Sequence, residues 1–351
     1  MFRVFVKLGC LGFGGPAAHL ALMEREIVRD RGWLAPGEFL DLIGAANLIP
    51  GPNSTEVALY VGLHRGGWRG LLVSGAGFIV PAVLLVLGCA WAYERYGALP
   101  SVEGVLRGVA PIVVAVVVHA LWAFGNAAIR TPLLGLVGAA AVAVRLVGVS
   151  EIPVLLGAGL AVMIGGRIPV RPGRLASIEL TTAAGLFLFF LKVGAFVYGS
   201  GYVLLAFLQG GLVQGGWLTQ RQLLDAIAIG QATPGPVFTT ATFVGYLLDG
   251  VPGALAATAG IFLPAFVLVP ASAALLPRVQ SSPAARNFLD GVNVGAVALL
   301  AVVSIELGRT ALRSPIAIAA AGLALVLLLR RVGPAWLLVA GAVLGLGGLL
   351  R

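Results

Sequence analysis

Two tripeptides carry the first chemical hint in this chain. Pro50-Gly51-Pro52 is followed at once by Asn53, Ser54 and Thr55, and Pro234-Gly235-Pro236 is followed by Thr239 and Thr240. Both interrupt apolar surroundings, "LIGAANLIPGPNSTEVALYVG" and "AIAIGQATPGPVFTTATFVGY". Proline ends one helix, and the residues after it are good material to begin another. A helix start presents backbone N–H groups without intrahelical acceptors, at the positive end of the helix dipole. That is anion-binding chemistry. Two further starts are expected. One follows Gly14 and Gly15, with Pro16 suited to the first helical position; the other follows Gly199, Ser200 and Gly201. Asn47, Ser54, Thr55, Gln231, Thr233, Thr239 and Thr240 would add amides and hydroxyls. Four starts converging on one point would suit a tetrahedral oxyanion, which has many acceptor positions. A single Pro-Gly-Pro is ordinarily just a loop; its duplication inside apolar sequence is what gives it weight.

The elements that must position these groups are membrane helices. Of the 351 residues 59% are hydrophobic and 11% charged, against about 25% charged in soluble domains. The mean hydropathy is +1.02. Leu71–Tyr93 carries no charge, and Gly108–Ile129 none apart from His119. Each is long enough to span, which takes roughly 20 residues. The 50 glycines suit close helix packing in lipid. The net charge of +9 is carried by arginines between apolar blocks. That is a membrane-orientation pattern and not a nucleic-acid one. Cys10 and Cys89 are expected as buried thiols, with no disulfide or metal role. No metal, cofactor or cleavable signal peptide is expected.

The chain is written twice. "VKLGCLGFGGPAAHLAL" aligns with "LKVGAFVYGSGYVLLAF", and "GWLAPGEFLDLIGAANLIPGP" with "GWLTQRQLLDAIAIGQATPGP". The separation of matched residues drifts only from 185 (Lys7 to Lys192) to 183 (Pro81 to Pro264). The expected division is a repeat over 1–170, a linker over 171–180 and a second repeat over 181–351. The fold class is an all-α polytopic membrane protein. Each half holds a broken first helix, a re-entrant Pro-Gly-Pro hairpin and about four further transmembrane helices, placed in the first half near 70–93, 105–125, 131–148 and 152–166. The arm Glu38–Ile49 reaches only about 18 Å, against a hydrocarbon core of about 30 Å. The hairpin therefore enters and leaves on one side. Five crossings per half remain, and an odd number inverts the second half. Arg25, Arg29, Arg31, Arg65 and Arg69 flank the first hairpin; the second has Arg221 alone. The arginine-rich side, with the linker, is expected to be cytoplasmic. Arg309 and Arg313 then fall outside and fit that rule poorly.

Single residues have two readings each. Lys192 follows "LFLFF" and is either a binding group in the membrane or a snorkelling anchor; Lys7 is rather an anchor. His19, one turn into its helix, donates to an anion, carries a proton, or is satisfied by neighbouring helices. Glu56 lies in the first turn after Pro52, a proton-coupling candidate or a capping carboxylate. Asp41 and Asp225 are matched and are expected to orient the hairpins. Glu24, Arg25, Glu26, Arg29, Asp30 and Arg31 read as a solvated loop, with a salt-bridge latch as the sharper alternative.

Inverted halves with interrupted helices are the layout of secondary transporters, whose sites lie near the midplane. "FGGPAAH", "NLIPGPNSTE", "FVYGSGYVLLAF" and "QATPGPVFTTATFVGY" resemble the motifs of the chromate ion transporter family, in its long two-domain form, over essentially the whole chain. The resemblance implies efflux of chromate across the cytoplasmic membrane, driven by the proton gradient or membrane potential, with antiport as the expected mode and chromate resistance as the outcome. It carries the glycine-proline motifs onto Phe13–Pro16, Pro50–Pro52, Tyr198–Gly201 and Pro234–Pro236. Expected partners are chromate or a similar oxyanion and the lipid bilayer; a second copy of the chain is a further candidate. Sulfate or molybdate transport is the alternative. A membrane-embedded lipid-phosphate phosphatase, using His19, Glu56 and Ser54, is the reading from another class.

Overall fold

The computed structural model describes residues 1–13, 15–165, 182–198 and 201–347. Gly14, Gly199, Ser200 and the linker at 171–180 lie outside the described residues. Among the described residues every regular element is helical. The first half runs α1 (Phe2–Leu11), α2 (Pro16–Met23), α3 (Pro36–Ala46), α4 (Asn53–Tyr96), α5 (Pro100–Ala128), α6 (Pro132–Leu146) and α7 (Glu151–Met163). The second runs α8 (Ala183–Phe196), α9 (Leu204–Leu208), α10 (Gln220–Ala232), α11 (Thr240–Ser281), α12 (Pro283–Ala311), α13 (Pro315–Leu329) and α14 (Pro334–Leu346). Four helices are long and apolar enough to cross a membrane: α4, α5, α12 and the stretch Val237–Ser272.

The repetition extends to irregularities. α2 continues into a π-helical turn at Glu24–Arg29, and α9 continues into one at Gln209–Val213. α4 is folded at Gly66 (φ −148°, ψ 21°) and Gly67 (φ 55°, ψ −144°), and α11 at Asp249 (φ −150°, ψ 35°) and Gly250 (φ 56°, ψ −146°). Only the second position of each pair has a backbone conformation closed to side chains, and only there do both halves keep glycine. The fold turns the chain back on itself. Gly62 and Gly70 face each other so closely that a Cβ on Gly70 would collide with the Gly62 carbonyl, and Gly253 stands likewise against Gly245. α4 is thus a short arm, Asn53–Arg65, and a long arm, Trp68–Tyr96.

The short arm and α3 (11 residues, about 17 Å) form the hairpin around Pro50-Gly51-Pro52. Its two ends meet, since the Arg65 guanidinium stacks on the Trp33 ring 4.6 Å from the centroid. α6 and α7, expected as full spans, have 15 and 13 residues, about 22 and 20 Å of helix, less than the core of a bilayer.

The described helices gather into two compact units, each drawing on both halves. The first comprises Met1–Gly97, Ile178–Gly201 and Ile229–Leu276; the second comprises Ala98–Ser177, Tyr202–Ala228 and Pro277–Arg351. In the first, Gly9 of α1 lies against the Phe78 carbonyl of α4, and Gly194 of α8 against that of Ile261 in α11. In the second, α5 packs on α14 where a Cβ on Gly104 would stand 2.9 Å from the Gly345 carbonyl, and α12 on α7 where one on Gly291 would stand 2.7 Å from Gly159 Cα. Small residues allow this approach, and dispersion between close backbones replaces the hydrophobic force that lipid does not supply.

Two expectations about individual residues are corrected. Cys10 is exposed on α1 and Cys89 is only half-buried, because a helix in lipid can turn an apolar thiol outward at no cost. Glu26 is not part of a solvated loop. It is buried, paired with Lys7 and 3.2 Å from Arg31, while Arg25, Arg29, Asp30 and Arg31 around it are exposed. The π-turn points Glu26 inward.

Gly70→Val should destabilise the detergent-solubilised protein by about 1–3 kcal/mol, the ordinary cost of overpacking. Gly88→Val, with nothing within 4 Å of its Cβ position, should leave the melting temperature unchanged.

Candidate functional site

Breaking a helix in lipid leaves carbonyls without donors, and each must find one. α1 ends at Leu11 and α8 at Phe196. The tip of each hairpin supplies the donor to the other half. The Gly235 N–H donates to the Gly12 carbonyl and the Gly51 N–H to the Val197 carbonyl, both at 2.8 Å. These four residues are repeat-mates in pairs, so the contact is one interaction made twice. Glycine is required at both tips. Gly51 has φ 139° and Gly235 φ 97°, and an added Cβ would press on Glu56 at the first and on Ala82 at the second. Tyr198 extends the exchange, its hydroxyl donating to the Leu48 carbonyl at 3.1 Å.

With tips and breaks joined, four helix starts border one cavity of about 60 Å³, lined by Pro16, Pro52, Asn53, Ser54, Gly201, Val237 and Phe238. Pro16 opens α2, Asn53 opens α4, and Gly201 and Val237 open 3₁₀ turns that lead into α9 and α11. The first bonds after the proline breaks are Thr55 N–H to the Pro52 carbonyl (2.7 Å) and Thr239 N–H to the Pro236 carbonyl (3.0 Å). The N–H groups of Asn53, Ser54, Val237 and Phe238 stand ahead of them, at positions that have no intrahelical acceptor. Water occupies about 30 Å³ per molecule in the liquid, so the cavity has room for a small ion and not for a drug-sized ligand.

The backbone is two-fold; the side chains are not. Ser54 corresponds to Phe238, Asn53 to Val237, His19 to Leu204 and Glu56 to Thr240. His19, 2% exposed, bridges the break. Its Nε2 lies 2.9 Å from the Gly12 carbonyl and its Nδ1 3.2 Å from Ser54 Oγ. A carbonyl only accepts, so Nε2 carries a hydrogen and neutral His19 accepts the Ser54 hydroxyl proton at Nδ1. Glu56 is fully buried in the same first turn as Asn53 and Ser54, and neither carboxyl oxygen has a hydrogen-bond partner among the described residues. Thr55 Oγ1 is likewise buried without one.

Other candidates stand back from the cavity. The Asn47 side-chain oxygen Oδ1 accepts from Asn53 Nδ2 at 2.6 Å, which ties the end of α3 to the start of α4. Thr233, Thr239 and Thr240 donate to the Ile229, Pro236 and Val237 carbonyls at 2.8, 2.9 and 2.8 Å. Gln231 is buried and outside the lining. Pro50 and Pro234 stiffen the tips. Lys192 turns back along α8, its Nζ 5.4 Å from the Phe189 ring centroid, and does not line the cavity.

A sequence model described as Chromate transporter matches residues 1–163 and again 184–346. The chain belongs to the chromate transporter family. It is a multi-pass protein of the cell membrane. The chromate transport protein of Cupriavidus metallidurans is 34% identical over 342 residues, 92% of this chain and 84% of that protein. The probable chromate transport protein of Synechococcus elongatus is 33% identical over 331 residues, 88% and 84% of the two chains. The chromate transport protein of Pseudomonas aeruginosa is 30% identical over 357 residues, 92% and 86%. No solved structure matches the chain.

The family frame sharpens which residues sequence reasoning passed over. Gly12 and Val197, whose carbonyls receive the exchanged bonds, carry no signal beyond lying at an expected break. Phe238 and Val237 line the cavity as apolar mates of Ser54 and Asn53; the repeat alignment itself was the signal that could have found them.

Because each tip bond is made once per half, Gly51→Ala and Gly235→Ala should each lower stability by about 1–3 kcal/mol through strain at positive φ. Thermal melting of each variant should show similar losses; a neutral result at either tip would mean that the exchange does not hold the site.

Proposed function

We propose that the chain is a secondary active transporter of a small tetrahedral oxyanion, chromate by the evidence of its relatives, and that it moves the ion outward across the cell membrane. The observation that carries this reading is the convergence of four helix starts, two from each half, on one small cavity. Gly15, Pro16 and Gly201 shape two starts, and Pro50–Ser54 and Pro234–Phe238 the others. Backbone N–H groups hold the anion, with Ser54 and Asn53 as the side-chain donors. Sulfate and molybdate share its shape and charge and remain the alternative cargo. A lipid-phosphate phosphatase has less support. The Ser54–His19 contact resembles a nucleophile and its base, but Nε2 faces a carbonyl where a hydrolase would place a carboxylate, and about 60 Å³ does not admit a lipid head with its glycerol.

The two repeats, 1–170 and 181–351, run antiparallel in this reading. The short α6 and α7 do not disturb the parity that requires it. If the pair forms a second re-entrant hairpin, two crossings disappear and the number per half stays odd. Cysteine labelling at positions 25 and 214 checks it: reagents that do not cross the membrane should reach the two from opposite sides, and labelling of both from one side sinks the inversion.

Proton coupling runs through His19 and Glu56. When His19 takes up a proton, both ring nitrogens donate, so Ser54 must accept from Nδ1 and its own O–H turns free to donate to the cavity. Glu56, if ionised, repels an anion one turn away; protonated, it does not. Proton and anion therefore assist each other's binding. That favours movement of the two together, in place of the antiport the family resemblance suggested, which needs them to exclude one another. A dianion leaving with one proton still carries one negative charge outward, and the membrane potential drives that by about 2.3 kcal/mol per 100 mV.

In proteoliposomes at clamped voltage, acid on the side holding labelled chromate or sulfate should speed its exit, and Ser54→Ala and His19→Gln should each flatten that response. Flux that ignores the pH gradient in the unmutated protein ends the coupling scheme.

A further inference from the structure

The second compact unit holds a cleft of about 640 Å³ that the cavity at the helix breaks does not account for. It is walled by the first turns of α5, the start of α10, the end of α12 and the start of α13, and three arginines line it: Arg107, Arg221 and Arg313. Arg107 Nη2 and Arg221 Nη1 both reach the same oxygen of Glu103, at 2.6 and 3.0 Å. A carboxylate of the chain already occupies the place where two guanidiniums converge, which shows that the geometry of this wall receives an anionic oxygen. Arg313 has no ion-pair or hydrogen-bond partner among the described residues and is exposed. Beside it, Ser314 Oγ accepts from the Ala317 N–H, which leaves its own hydrogen free to donate. Gln220 Nε2 is buried without a partner among the described residues. Asp225, the one acidic side chain in the lining, is buried and already engaged. Three guanidiniums against Asp225 and Glu103 leave a surplus of positive charge.

We propose that this cleft is a second anion site, which takes a tetrahedral oxyanion group between Arg313, Ser314 and Gln220, with Arg107 and Arg221 behind it. Its size separates it from the cavity at the breaks: it admits an ion with its hydration shell, where about 60 Å³ admits only a bare one. A cleft lined by one sign of charge raises the local concentration of its counter-ion and speeds capture. The identity of the ion as transport substrate rests on the proposed function; a phospholipid phosphate presents the same chemistry. The arrangement also gives Arg313 a role where the membrane-orientation rule leaves it anomalous.

Equilibrium binding of labelled sulfate to the purified full chain, in neutral detergent at low salt, tests the assignment. Two classes of site are expected. Arg313→Gln should remove the weaker class, or weaken it by about tenfold, the lower end of electrostatic capture effects. Ser54→Ala should act on the tighter class alone. In flux assays with the anion supplied on the face that carries Arg313, Arg313→Gln should raise KM and leave kcat unchanged, and the difference should vanish in about 1 M salt, where the screening length is ~3 Å. Repeating the binding in nanodiscs of phosphatidylglycerol and of phosphatidylcholine separates the sources. Loss of the weaker class only with phosphatidylglycerol assigns the cleft to a lipid phosphate, and equal binding in both assigns it to the free ion. A single class of site in the unmutated protein, or two classes with Arg313→Gln unchanged in both binding and KM, overturns the second site. If Ser54→Ala leaves the tighter class unchanged while Arg313→Gln removes the weaker one, the cavity at the breaks is wrong and the cleft stands.

Discussion

A carbonyl left bare at a helix break in a membrane protein must be given a donor, and the exchanged bonds from Gly235 to Gly12 and from Gly51 to Val197 meet that constraint. The breaks exist only because these donors arrive, and the donors arrive only because each hairpin is short enough to end at the depth of the break. The hairpin in turn needs a return path, supplied by the Gly66-Gly67 and Asp249-Gly250 folds. Each requirement is met by glycine where backbone geometry excludes a side chain and by proline where a helix must begin. The cavity of the proposed site follows from the same arrangement, since the residues that open four helices or turns line it.

Two-fold backbone and unequal side chains divide the work. Whatever the main chain does, it does twice: the exchanged bond, the π-turns, the folds in α4 and α11. Whatever titrates near the cavity occurs once. His19 faces Leu204 across the repeat, Glu56 faces Thr240, and Ser54 faces Phe238. In the proposed scheme the anion takes donors from both halves, whereas the proton-linked pair, His19 and Glu56, lies in one half alone. Repeating that pair in the second half would, in this scheme, raise the number of protons bound per anion and reduce the charge that the membrane potential acts on.

The helical class, the two halves and the breaks were legible because proline, glycine and hydropathy have backbone meaning that needs no tertiary partner. The matched Pro-Gly-Pro pair pointed to its place through repetition alone. The partners of those tips were not legible. Which carbonyl receives the Gly51 N–H depends on how one half lies on the other, and nothing in "VYGSG" marks Val197 as the acceptor. Glu26 failed for a related reason: in a cluster of six charges the pattern reads as solvated, and only the π-turn shows that one of the six points inward. The folds at Gly67 and Gly250 were visible as Gly-Gly and Asp-Gly pairs inside apolar runs, but hydropathy continued through them and hid the turn. The reach of α6 and α7 was overestimated because apolar flanking residues beyond Leu146 and Met163 extend the pattern past the helix ends.

Among the described residues that line the cavity there is no arginine or lysine, which suits the transport we propose. A guanidinium in a dry pocket would hold a dianion through strong charge-assisted bonds, and release would then be slow. Neutral N–H groups in low dielectric are strong enough to replace part of a hydration shell and weak enough to let the ion go. A site that must empty on every cycle is better built from donors whose strength is set by geometry, since a shift of helix starts by a fraction of an ångström loosens all of them together. A fixed positive charge would persist through any such shift. Lys192 turned along α8 and the arginines of the second unit set in their own cleft fit the proposed division: full charges at the cleft, and backbone dipoles at the cavity.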